Sequence, residues 1–130
     1  MNLYLDIDGT IITKQGQEAN HLEEFLIYAT TNYDCYWLST HVQGDATDAL
    51  RYLESVVSEK SMILLKQFKP TSWSNLKTEA IDFTQPFVWL DDCVFTPEKV
   101  ILKNRGVLDS LIEIDLKNNP DQLLTLIKKI

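Results

Sequence analysis

Three short apolar runs, residues 3–5, 35–38 and 87–90, each stop at a residue that can do chemistry: Asp6, Ser39 and Asp91. Runs of this length, ended so abruptly, are what buried strands look like. Between and beyond them, apolar residues recur at helical spacing. Residues 18–31 place Leu22, Phe25, Leu26 and Ala29 on one face, and Ala46, Ala49, Leu50, Leu53 and Val57 repeat in the same way. Residues 62–65 form another compact apolar run, and the spacing predicts a helix over 74–83 with Leu76, Ala80 and Phe83 on its apolar side. Residues 111–116 read as an edge or late strand, and 120–130 as a closing helix with Pro120 at its start. Strand alternating with helix predicts an α/β fold, a parallel sheet covered by helices on both faces.

The richest of the strand ends is Asp6-Ile-Asp-Gly-Thr10. In extended backbone, side chains two apart share a side, so Asp6 and Asp8 point the same way, and Gly9 lets the chain turn sharply after them. Two carboxylates so placed suit phosphoryl transfer. One attacks phosphorus, the other moves protons, and a divalent cation offsets the crowded charge. The same five residues also suit a calcium loop or an ordinary turn, so their meaning depends on their company. Ser39, Lys77 and the pair Asp91-Asp92 follow in order. Ligands of parallel α/β folds bind outside the carboxyl ends of the strands, where Asp8, Ser39 and Asp92 would converge on one crevice.

With these four sites the chain resembles the haloacid dehalogenase superfamily, whose motifs are a strand-end Asp-x-Asp, a strand-end Thr or Ser, a Lys, and a strand-end acidic pair. The resemblance covers nearly the whole chain, and Trp37-Leu-Ser-Thr40 and Trp89-Leu-Asp-Asp92 look like a small, compact branch of it. It implies a three-layer α/β/α sandwich with a mainly parallel, Rossmann-like sheet, formed by residues 1–130 as a single domain. No block large enough for a sizeable cap domain lies between Asp8 and Ser39 or between Ser39 and Lys77.

The resemblance further implies a magnesium-dependent phosphatase working through an aspartyl-phosphate. Asp6 is then the nucleophile and Asp8 the general acid and base. Family dehalogenases lack the second carboxylate and phosphorylation pumps carry Thr there, so Asp8 implies an enzyme that turns over. Mg2+ would be held by the Asp6 carboxylate, the Asp8 backbone carbonyl and Asp92, with Asp91 orienting the lysine or a metal-bound water. Ser39 would donate a hydrogen bond to a phosphoryl oxygen, with Gly9, Thr10 and Thr40 completing the substrate site. Lys77 is expected as the motif lysine; Lys66 and Lys69 are its rivals, Lys69-Pro70 because it mimics a Lys-Pro of other members. Two other readings stand beside this one. A protein of the same fold with little or no activity would serve as a binding or regulatory module. A receiver-like phospho-acceptor would use similar residues, but with the acidic pair first and the phosphorylated Asp on a middle strand.

Composition sets limits on partners. A chain of 130 residues, 45% hydrophobic, can bury one real core. A net charge of −7 argues against general nucleic-acid binding, which needs clustered Lys and Arg, but leaves room for a small phosphorylated ligand of unknown class. No apolar run approaches membrane-spanning length and the first residues lack a signal-peptide layout, so a cytoplasmic protein with no membrane partner is expected; composition leaves oligomeric state open. Cys35 and Cys93 read as buried or semi-buried thiols and not as a disulfide. His21 reads as a surface or capping residue, and His41 as structural or substrate-orienting. Trp37 and Trp89 read as core, and Trp73 as either a substrate-stacking or a packing residue.

Overall fold

The computed structural model describes residues 1–130. Four strands, β1 (Asn2–Leu5), β2 (Asp34–Trp37), β3 (Phe87–Asp91) and β4 (Leu111–Glu113), form an all-parallel sheet in the order β2-β1-β3-β4. Five α-helices accompany it: α1 (Leu22–Asn32), α2 (Thr47–Glu54), α3 (Glu59–Leu65), α4 (Thr96–Asn104) and α5 (Gln122–Ile127). An isolated parallel bridge from Tyr36 to Lys69 extends the outer edge of β2.

Period 2 in the strands builds the two sides. Leu3 and Leu5 of β1 face one way with Cys35, Trp37, Val88 and Leu90, joining the apolar faces of α1, α2, α3 and α5 in the main core. Tyr4, Phe87 and Trp89 face the other way and pack with Leu38, Ile81 and Leu102 of α4. Every residue of β1 and β3 is buried, as expected of strands covered on both faces. In α1 the buried positions are Leu22, Phe25, Leu26 and Ala29, the face that the spacing predicts. No helix is long and apolar enough to cross a membrane.

Several boundaries differ from the sequence expectation. Residues 74–83 form no α-helix, only a 3-10 turn at Lys77–Ala80. The cause is Glu79, whose carboxylate accepts the N–H groups of Ser74, Asn75 and Leu76 at 2.9–3.1 Å and holds them in a turn. The apolar run at 62–65 is the second half of α3, opened by Ser58, whose hydroxyl accepts the Ser61 N–H at 3.1 Å. Helix α4 has no counterpart in the sequence reading, because only Glu98 and Leu102 of its nine residues are buried and its apolar stripe is too thin to show. Helix α5 begins two residues after Pro120, and β4 is three residues long. Cys93 is exposed, while Cys35 is buried and pushed up to about 12 by burial and then by the Asp34 charge; neither is in a disulfide.

Candidate active site at the carboxyl end of the sheet

The chain leaves β1 for a neighbour on one side and later fills the other side with β3, so the end of β1 is the switch point of the sheet. Asp6 stands there, its N–H donating to the Leu90 carbonyl of the adjacent strand at 3.1 Å. Asp91 ends β3 beside it. The Lys77 ammonium reaches both carboxylates, 3.2 Å from Asp6 Oδ1 and 2.6 Å from Asp91 Oδ2, with the lysine side chain only 11% exposed. A buried glutamate explains how a lysine on a short turn is aimed so well. Glu98, 1% exposed, accepts the Lys77 N–H at 2.7 Å with one oxygen and the Phe95 N–H at 3.0 Å with the other, tying the turn to the start of α4. Lys66 and Lys69 are exposed elsewhere, Lys66 at the end of α3 and Lys69 over the Tyr36 ring.

One ammonium between two buried carboxylates leaves negative charge in excess. Burial, with the Asp91 charge added, pushes Asp6 up to about 8 despite Lys77. Burial also raises Asp91, against the pull of Lys77. Lys77 itself is raised, because the two carboxylates outweigh the burial that would lower it. The directions agree physically: the single cation is held firmly, and the two acids compete for it.

Side-chain oxygens of Asp6, Asp91 and Asp92 lie within 4.8 Å of one another, close enough for one metal ion. An all-oxygen set suits a hard divalent cation, and excess negative charge at buried carboxylates is what such an ion offsets. The donors present therefore fit Mg2+. Asp91 is the most committed of the three, because Oδ2 meets Lys77 and Oδ1 accepts the Cys93 N–H at 3.0 Å. Lys14, on the turn after Asp8, lies 3.7 Å from Asp92 Oδ2.

Gly9 allows this closeness. Its φ is +76°, and a Cβ there would sit 2.2 Å from Asp92 Oδ2. Gly9→Ala is expected to displace Asp92 and to cost about 1–2 kcal/mol of stability through the left-handed backbone alone. Urea denaturation without metal reads the second effect, and divalent-cation titration reads the first; unchanged cation affinity would separate Asp92 from the metal.

The remaining predicted residues occupy different layers of the site. Asp8 is exposed, and His41 Nε2 lies 2.6 Å from its Oδ2, so a residue two positions past Ser39 holds the second carboxylate. Ser39 is fully buried at the end of β2, its Oγ accepting the His41 N–H at 3.1 Å, while Thr40 is exposed at the crevice. Thr10 is fully buried and its hydroxyl has no protein partner. A pocket of about 210 Å3 gathers Asp6, Asp8, Thr40, Lys77, Asp91 and Asp92. A larger one, about 440 Å3, adjoins it and shares only Asp92 of the acidic cluster, so the clustered carboxylates and Lys77 belong to the smaller.

Three residues beside the site escaped the sequence reading: Glu98, Phe95 and Lys14. The first two belong to α4 or its start; a Phe-Thr-Pro-Glu opening with Glu at the third helical position is the signal that marks such a start. Trp73 lies against the second core cluster and lines the smaller pocket, so both of its sequence readings keep a structural basis. His21 precedes α1 in left-handed backbone without a side-chain cap, paired with Glu24 and Asp121 at the surface. No family model matches the chain, and neither a curated protein nor a solved structure matches it.

Proposed function

We infer that the protein is a magnesium-dependent phosphomonoesterase of the haloacid dehalogenase type. The observation that carries this reading is the Lys77 ammonium bridging Asp6 and Asp91 at the switch point of the sheet, with Asp92 within metal-sharing distance and Asp8 opening on the same pocket. An Asp6 oxygen attacks phosphorus, the ester P–O bond breaks, and the departing oxygen takes a proton from Asp8. Asp8 then removes a proton from water, whose oxygen attacks the aspartyl-phosphate, releasing phosphate and restoring Asp6. Lys77 holds Asp6 in place and meets the negative charge of the transferring group. His41 keeps Asp8 turned into the crevice. Asp6, Asp91 and Asp92 would hold magnesium, which when bound supplies the positive charge that allows carboxylates and a phosphate to share one small space.

The test is phosphate release with magnesium across nucleotides, sugar phosphates, phosphopeptides and phosphorylated nucleic-acid ends. Release from none of them, by a folded protein, removes the reading.

Magnesium binding supplies a second check. Asp92→Ala is expected to weaken affinity by more than roughly tenfold, and Asp91→Ala by less, because Asp91 already serves Lys77 and the Cys93 N–H. Asp6 is raised to about 8, so below that pH a bound cation must displace its proton. Affinity should therefore fall as pH drops from 8 to 6, with proton release on binding. Calorimetry in buffers of different ionisation enthalpy measures both, and pH-independent binding without proton release would detach Asp6 from the metal.

A further inference from the structure

Two aromatic residues border the smaller pocket, and both are held from the backbone. The Trp73 N–H donates to Gln43 Oε1 at 2.9 Å, and the next three N–H groups are gathered by Glu79. Phe95 is fixed through its N–H by buried Glu98, yet its residue is 60% exposed beside the acidic cluster. Neither ring stacks on another aromatic ring of the protein. An aromatic side chain on a fixed backbone has only two torsions left to settle, so it costs little further ordering when a flat ligand lands on it. The exposed side chains of Thr40 and Asn75 line the same pocket and add a hydroxyl and an amide, which both donate and accept hydrogen bonds.

We propose that Trp73 and Phe95 form a stacking wall for the leaving group, and that the substrate is a nucleoside monophosphate. The proposal rests on the phosphatase reading and names its substrate class. A planar base uses the aromatic wall, its polar edge meets Thr40 and Asn75, and its phosphate reaches Asp6 and Lys77. A free mononucleotide fits better than a polynucleotide, because the net charge of −7 repels a long phosphate backbone. A phenolic phosphate would use the wall but has no polar edge for Thr40 and Asn75.

The test compares adenosine 5′-monophosphate, ribose 5-phosphate and phenyl phosphate with magnesium. Equilibrium binding is measured on Asp6→Asn protein, and phosphate release on the wild type. Stacking is expected to favour the nucleotide over ribose 5-phosphate by roughly tenfold or more in affinity. Phe95→Ser, at an exposed position, should collapse that ratio towards 1, as should Trp73→Leu, whereas Trp73→Phe should keep most of it. Equal binding of nucleotide and ribose 5-phosphate overturns the wall, and tighter binding of phenyl phosphate overturns the nucleotide. If the nucleotide binds preferentially but the wild type releases phosphate from none of the three, the wall stands and the phosphatase reading falls. If all three are hydrolysed without preference and bound equally, the reverse holds.

Discussion

Asp6→Asn is expected to abolish phosphate release while leaving the fold intact or slightly firmer. The amide has the shape of the carboxylate but lacks the anionic oxygen that attacks phosphorus. The effect on stability follows from the environment. Asp6 is buried beside Asp91 and raised to about 8, so in the metal-free protein its charged form is the disfavoured one. Its protonated form dominates below that value, and the electrostatic cost of ionising it grows as pH rises from the unfolded range near 4 towards 8. Asn removes that cost while Lys77 keeps its 2.6 Å partner in Asp91. Without magnesium, Asp6→Asn should therefore melt higher relative to wild type at pH 8 than at pH 5. Near-normal turnover by the folded variant would falsify the nucleophile assignment; a melting difference unchanged between the two pH values would mean that Asp6 is not the strained acid.

The second large effect belongs to Asp8. Asp8→Asn should slow turnover by roughly 10²–10⁴-fold, the usual worth of a positioned general acid and base. Magnesium affinity should change little, since the Asp8 carboxylate lies outside the acidic cluster and is engaged by His41. Leaving-group chemistry sharpens the test. A phosphate ester with an acidic alcohol needs little protonation, so the first step should suffer less with p-nitrophenyl phosphate than with an alkyl phosphate, visible as a larger burst relative to steady turnover. An equal penalty on the first step with both leaving groups, or loss of magnesium binding with turnover intact, would assign Asp8 a different role.

Much of the framework is readable without coordinates. Strands β1 and β3 are legible because strands buried on both faces are nearly continuously apolar, and the edge strand β2 through its short aromatic run; the polar residue that follows each apolar run marks the carboxyl end of the sheet. That is why Asp6, Ser39 and Asp91 announce themselves. Helix α1 is legible because four apolar residues must share one face. Segments whose structure comes from polar contacts are not legible in the same way. Residues 74–83 have helical spacing, yet Glu79 accepts three backbone N–H groups and arrests the helix. Helix α4 rests on a buried acid and a single buried leucine, a pattern that looks like a solvated charged stretch.

The sequence by itself determined the α/β class, the central strands and the presence of carboxylates at their ends, because hydrophobic burial and two-residue alternation act locally. Tertiary structure decided how a lysine meets them. The resemblance favoured Lys77 over Lys66 and Lys69, and the fold brings the Lys77 ammonium to Asp6 and Asp91 from a turn whose Lys77 N–H is held by Glu98, twenty-one residues away along the chain. It likewise decided that His41 pairs with Asp8, that Gly9 gives way to Asp92, and that Phe95 and Trp73 border one pocket. Each of these is a distance between residues far apart in sequence, set by parallel strands that bring distant loops to the same edge of the sheet.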